Sequence, residues 1–219
     1  MLSGLLPPQV VAVEAFDDVP GELPFPGEEA IIARSVEVRR REFITAHRCA
    51  RQALAGLGQP AIAILPGTRR EPLWPPGVVG SITHCLGYRA AAVARRTDLA
   101  GLGIDAEPHA PLPEGVAEQV ALAEERDQLA YLTAAHPGTH WDRLLFSAKE
   151  SVYKAWYPLT GRWLGFEEAR LTFDPAASVF RAQILVDGRR IEGGVPLTEL
   201  IGCFRVEGGL LLTAVRVEI

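Results

Sequence analysis

The sequence predicts an α+β fold built in two halves. Three observations carry that class. Phe43, Ala46, Ala50, Ala53, Leu54 and Leu57 recur near a 3.6-residue period, the mark of an amphipathic helix. Three short apolar runs then follow in succession, VVGSITHC, YRAAAVARR and LAGLGIDAE, split by turn signals at Leu86-Gly87 and Thr97-Asp98, and they read as strands. After them helical stretches again precede strand-like runs, so each half carries helix plus strands of comparable size, with no sequence repeat between them.

Taken in order, residues 10–15 read as a first strand and the Pro-, Gly- and acid-rich residues 17–27 as a loop. A long helix is expected over 28–57, stopped by Gly58 and Pro60, with a short strand over 62–65. PGTRREPLWPPG (66–77) is a loop, and the three strands follow. PHAPLP opens the second half as another loop. Helices are expected over 116–134 and 148–157, and strands near 169–173, 179–186, 200–206 and 209–217. DGRR (187–190) is a hairpin turn signal.

Composition narrows the function. A chain of 219 residues suffices for one large domain or two small ones, and 48% hydrophobic with 22% charged residues fits a folded protein. A net charge of −5 argues against a nucleic-acid binder, so any anion must meet a local basic patch. Three cysteines without metal-like spacing point to reduced thiols in a cytoplasm. The N-terminal residues lack the basic region of a signal peptide, and no apolar run is long enough to span a bilayer.

Four stretches carry chemistry. In GLGIDAEP (101–108) a strand would put Asp105 and Glu107 on one face, Cα atoms roughly 6.5–7 Å apart, opposite Ile104 and Ala106. Like charges that close suit either a solvated strand edge or a metal site. In FSAKESVYKAW (146–156) Ser147 and Glu150 have capping-box spacing. Glu150, Lys154 and Tyr157 also form one helical stripe, either a solvated face or the wall of a site. RSVEVRRREFITAHRCAR (34–51) holds six arginines against two glutamates, with Arg40, His47, Arg48 and Arg51 roughly on one face; guanidinium forks suit phosphate. Arg69-Arg70 lead to Ser81-Ile82-Thr83-His84, where His84 could donate to a phosphate. A P-loop, HExxH, zinc spacing, a GxSxG elbow and a Rossmann fingerprint are all missing, and nothing looks like an activated nucleophile.

GSITHC (80–85), GIDAEP (103–108) and FSAKESVYKAW, in that order, with RRREFITAHRCAR and RREPLWPPG upstream, resemble the 4′-phosphopantetheinyl transferases. The match is to the large single-chain pseudodimeric type of the enterobactin-synthetase-associated and actinobacterial branch, which serves siderophore, nonribosomal-peptide and polyketide synthases. The resemblance covers about 30–173 and implies that family's fold, two similar α+β halves related by a pseudo-twofold with the active site between them. Residues 1–102 would form the N-terminal half, with the CoA nucleotide-binding segments. Residues 103–219 would form the C-terminal half, with the metal-binding acids and the catalytic helix. The implied activity is Mg²⁺-dependent transfer of 4′-phosphopantetheine from coenzyme A, the substrate, to a serine of apo acyl or peptidyl carrier domains, with Mn²⁺ as a substitute ion.

On these positions Asp105, Glu107 and Glu150 resemble the acidic triad that holds the metal. Lys149 and Lys154 look like the lysines beside the reacting phosphate, and His84, with Ser81 and Thr83 on its strand, like the histidine segment on the CoA phosphates. Arg39, Arg40, Arg48, Arg69 and Arg70 resemble ligands of the 3′-phosphate and adenine end. The family usually has Arg where this chain has His47, so His47 and Arg48 both stand as ligands of that phosphate. Glu150, Lys154 and His84 would be catalytic, Glu150 or a water it orients taking the serine proton. The resemblance implies a cytoplasmic monomer without nucleic-acid or membrane partners. A Mg²⁺-dependent phosphohydrolase or nuclease using the same acids is the first alternative. A non-enzymatic regulator that binds an acidic helix through the arginine face is the second.

Overall fold

Two antiparallel sheets and two long helices make up the computed structural model, which describes residues 1–219. The first sheet holds β1 (Val11–Ala15), β2 (Val78–Cys85) and β3 (Tyr88–Arg95) in the order β1-β3-β2. The second holds β4 (Gly101–Pro108), β5 (Ala169–Asp174), β6 (Val179–Ile184), β7 (Glu199–Glu207) and β8 (Leu210–Val217) in the order β4-β8-β7-β6-β5. The α+β class predicted from the sequence is the class observed. The halves differ in size, because β4 leaves its two predecessors and pairs with β8, Asp105 lying opposite Thr213.

Strand alternation sorts the core into layers. Ala91 and Val93 face the helix α1 (Glu37–Gly56), packing on Cys49, Ala50, Ala53 and Leu54. Tyr88, Ala90 and Ala92 face the other way, onto Leu102, Ile104 and Ala106 of β4 and Leu210, Leu212 and Ala214 of β8. The far side of the second sheet is covered by α4 (Trp141–Thr160), through Leu144, Leu145, Ala148, Val152 and Trp156. The order is therefore helix, sheet, sheet, helix. The alanines of β3 let the two sheets approach.

The sheets also meet at their edges. The hydroxyl of Ser81 accepts the Ile104 N–H at 3.1 Å, and that of Thr83 accepts the Ala106 N–H at 3.0 Å. Buried backbone donors need partners, and here side chains of β2 replace a strand ladder along β4.

Several expected elements are corrected. The helix over 28–57 is two pieces, a 3-10 turn at Glu29–Ile32 and α1. Glu28 is the cause: it is fully buried and accepts from Arg51 Nη1 at 2.9 Å and Ile64 N–H at 2.9 Å, pinning the turn beside α1 instead of in line with it. The segment 62–65 makes no strand; only a Pro66–Pro72 bridge forms. The helix over 116–134 breaks into α2 (Val116–Val120) and α3 (Ala123–Ala135), because Glu125 turns back to accept the Leu122 N–H at 2.8 Å. The helix over 148–157 starts seven residues earlier, at Trp141. Ser147 is therefore no cap: it is buried mid-helix, 3.0 Å from the Thr213 hydroxyl. DGRR is no tight hairpin; it lies in the long connection between β6 and β7.

Candidate functional site

The two glycines of GLG explain how the site closes. Gly101 and Gly103 share a strand face with Asp105 and Glu107, and α4 lies directly on that face. A Cβ at Gly103 would stand 2.0 Å from the Ser151 carbonyl oxygen and 2.7 Å from the Ala155 nitrogen. Only glycine admits the helix this close, and the approach brings Glu150 and Lys154 of α4 over the acids of β4.

Lys154 Nζ donates to Asp105 Oδ1 at 2.7 Å and to the Ile104 carbonyl at 3.1 Å. Thr83 donates to the same Oδ1 at 3.3 Å. Asp105 Oδ2 is buried with no hydrogen-bond partner. Glu107 is paired through Oε2 with Arg143 Nη1 at 2.8 Å. Glu150 makes no hydrogen bond; burial pushes its carboxyl above the usual range, as do the charges of Asp105 and Glu107, against Lys154. Glu107 is raised in the same way, by burial and by Asp105, against Arg143 and Lys154.

A cleft of about 660 Å³ runs from Glu150 and Lys154 to α1; Asp105 and Glu107 lie behind them and do not line it. Its walls include Arg39, His47, Arg69, Arg70, Ser81, His84, Glu150 and Lys154. Tyr153 and Tyr157 of α4 complete one side, and the Tyr157 hydroxyl meets Thr68 at 3.2 Å, tying the loop that carries Arg69 and Arg70 to the helix. Arg70 itself sits at φ +69°, a conformation L-residues avoid and one that clusters at functional sites. His84 Nδ1 lies 3.2 Å from Arg39 Nη1. Arginine only donates, so this contact, shorter than the 3.5 Å from the same nitrogen to Glu42 Oε2, favours Nδ1 as acceptor with the proton on Nε2. Burial lowers the His84 pKa to about 4, helped by the Arg39 guanidinium and opposed by Glu42, so the ring is a neutral donor at pH 7.

The other expected residues lie elsewhere. Lys149 faces away from the cleft, because one residue along a helix turns the side chain by about 100°. It is buried and donates to Glu125 at 2.8 Å and to the carbonyls of Val120 and Phe166. Arg40 donates to the Ile32 carbonyl, and Arg48 pairs with Glu22 at 2.9 Å. His47, not Arg48, faces the cleft; it stacks on Phe43 at 3.7 Å, with Nδ1 3.1 Å from Glu28. Thr83 touches Asp105 rather than the cleft wall. Sequence reasoning missed Arg143, Glu28 and Glu42: Arg143 precedes the helix expected over 148–157, Glu28 opens the one expected over 28–57, and Glu42 stands inside RRREFITAHRCAR, where the basic residues carried the reading; extending the helix expected over 148–157 back by two turns would have put Arg143 on the Glu150 stripe.

The three acids do not close on one point: no three His, Cys, Asp or Glu side chains form a coordinating cluster. They fit a hard divalent cation by donor chemistry, since all are carboxylates, the charge of Asp105 helps burial to raise Glu107, both charges help burial to raise Glu150, and Asp105 Oδ2 is a buried acceptor with nothing to accept.

Comparison with known proteins gives a family. A family model described as the 4′-phosphopantetheinyl transferase N-terminal domain matches residues 27–94, and one described as the 4′-phosphopantetheinyl transferase superfamily matches residues 101–192. The chain is 53% identical to the 4′-phosphopantetheinyl transferase Svp of Streptomyces mobaraensis, over 99% of this chain and 89% of that protein. It is 49% identical to Npt of Nocardia iowensis, over 98% and 99% of the two chains. To PptT of Mycobacterium tuberculosis it is 51% identical, over 92% and 89%.

Proposed function

The chain belongs to the 4′-phosphopantetheinyl transferase family, and from that premise we propose that it moves the 4′-phosphopantetheine group of coenzyme A onto a serine of an apo acyl or peptidyl carrier domain, with Mg²⁺. The observation that carries the reading is the placement of Glu150, an unpartnered carboxylate beside Asp105 and Glu107, in the same cleft as Arg39, Arg69, Arg70 and His84.

Asp105 through Oδ2, with Glu107 and Glu150, would hold the ion, which when bound neutralises pyrophosphate charge and the charge that develops on the leaving phosphate. Arg39, His47 and the Arg69-Arg70 loop bind the nucleotide end. Neutral His84 donates from Nε2 to a phosphate oxygen, and Lys154 supplies positive charge where the pyrophosphate reacts. The carrier serine attacks phosphorus, the bond to the bridging oxygen breaks, and 3′,5′-ADP leaves. Glu150 takes the serine proton; a carboxyl raised by burial is the better base for that task. Because the nucleophile comes from the partner, the chain needs none of its own.

Residues 1–102 would serve the nucleotide and 103–219 the chemistry, in a cytoplasmic monomer. No helix is long and apolar enough to cross a membrane. The test is mass spectrometry of an apo-carrier protein after incubation with the enzyme, CoA and Mg²⁺. The expected result is a gain of one phosphopantetheine that requires both; no gain, or release of phosphate instead, defeats the proposal.

A further inference from the structure

Arg143 belongs to no motif, yet its guanidinium is fully engaged at the edge of the acidic cluster. Nη1 donates to Glu107 Oε2 at 2.8 Å, Nη2 to the Pro111 carbonyl at 2.8 Å and Nε to the Ala110 carbonyl at 3.3 Å. The neighbouring Asp142 accepts the Leu112 N–H at 2.8 Å, fastening the same loop. The Arg143–Glu107 pair is only 17% and 18% exposed, so it is no mobile surface contact. Glu107 Oε1 makes no hydrogen bond. Two residues back on the strand, Asp105 is held in the same manner: Lys154 takes Oδ1, and Oδ2 has no partner. Each strand acid therefore has one oxygen saturated by a cation and one left over.

We infer that Arg143 is a positioning residue that confines Glu107 to single-oxygen ligation and thereby favours Mg²⁺ over Ca²⁺. The inference rests on the metal reading given under the proposed function. Mg²⁺ demands near-octahedral geometry at short distances, keeps waters and takes carboxylates through one oxygen. Ca²⁺ accepts more oxygens and gains from bidentate carboxylates. With Oε2 committed to Arg143, and Arg143 committed to two loop carbonyls, turning Glu107 to offer both oxygens would break a shielded ion pair. Mg²⁺ loses nothing by that restriction. Ca²⁺ loses a ligand.

The experiment is isothermal titration of the full chain with MgCl₂ and, separately, CaCl₂, with CoA present and no carrier, so that no transfer occurs. Wild type should bind Mg²⁺ the more tightly. Arg143→Met, which cannot donate, should narrow the Mg²⁺/Ca²⁺ affinity ratio by about tenfold, the low end of what partners of metal ligands typically contribute, chiefly through tighter Ca²⁺ binding. Arg143→Lys keeps a cation on Oε2 and should keep the preference. Arg143→Gln, with an amide donor for the loop carbonyls, carries the test if Arg143→Met does not fold. A wild type that binds neither ion, or prefers Ca²⁺, defeats the metal reading's support for this inference and the inference with it. A wild type that prefers Mg²⁺ while the neutral variant's ratio stays unchanged, or narrows equally in Arg143→Lys, defeats the inference alone.

Discussion

Glu150 makes no hydrogen bond and no ion pair, so its charge has no structural task to lose. Glu150→Gln should fold normally and, without metal, melt at or slightly above wild type, because one of three mutually repelling acids is gone. Carrier modification should fall at least about a hundredfold, the lower range for loss of a general base. Paired thermal melts and transfer rates check this, and a retained rate would remove Glu150 from the mechanism. The proposed nucleotide end divides as sharply. His47 faces the cleft while Arg48 is spent on Glu22, so His47→Ala should raise the KM for CoA more than Arg48→Ala does. Dephospho-CoA should show little of that difference if the 3′-phosphate is what His47 meets. His84 gives a pH signature. Its folded pKa of about 4 lies below the unfolded value of 6.5, so below pH 6.5 the unfolded chain takes up a proton that the folded one refuses. That stability is fully present above pH 6.5 and is lost as the pH falls toward 4, at most about 3 kcal/mol. The charges facing His84 are Arg39, Lys154 and Arg89, with Glu42 opposing. His84→Asn should flatten the stability profile across that window in urea denaturation; an unchanged slope would mean that His84 ionises freely in the fold.

At the scale of elements, the closeness of α4 to β4 decides whether the acids and Lys154 meet at all. Gly103→Ala puts a methyl group 2.0 Å from the Ser151 carbonyl oxygen, and backbone on both sides must move. Overpacking of this kind typically costs about 1–3 kcal/mol. Displacing α4 should also slow transfer by more than the stability loss accounts for, since Glu150 and Lys154 move with the helix. Gly138→Ala, in open space with an ordinary backbone, is the matched control and should leave both unchanged. Equal activity in the two variants would show that the spacing is slack. The strands of the site were legible because alternation is a local property: Asp105 and Glu107 opposite Ile104 and Ala106 follows from period two alone. The helix boundaries were not. Ser147 and Glu150 have the spacing of a cap, and only the approach of Thr213, 66 residues away, shows that Ser147 is interior. Lys149 went astray because a motif records adjacency, and adjacent helical residues face different surroundings. Arg143 lies 36 residues from Glu107, and no local pattern couples the two. Glu28 was expected to open a helix over 28–57; burial against Arg51, His47 and Ile64 is a fact of tertiary packing.

Across the whole molecule, two halves with separate helices must hold one cleft at a fixed width, and the join along β2 and β4 is made by hydroxyls. Thr83 does two things there: it accepts the Ala106 N–H at 3.0 Å and donates to Asp105 Oδ1 at 3.3 Å. It therefore links the seam between the sheets to the acid that Lys154 holds. Thr83→Val keeps the shape and removes both bonds. A buried N–H left unpaired costs about 1–3 kcal/mol, and Asp105 loses one of the two side-chain donors that hold Oδ1. Thr83→Ser keeps the hydroxyl and should keep both functions, at the smaller cost of one buried methyl group, about 1 kcal/mol. Ser81→Ala, which orphans only the Ile104 N–H, should destabilise to a similar degree as Thr83→Val but spare more of the transfer rate, because Ser81 does not touch Asp105. The measurement is a denaturant melt and a carrier-modification rate for each of the three variants. If Thr83→Val is as stable and as fast as Thr83→Ser, the hydroxyl seam holds neither the halves nor the acid, and the width of the cleft must be set by the packed faces of the two sheets alone.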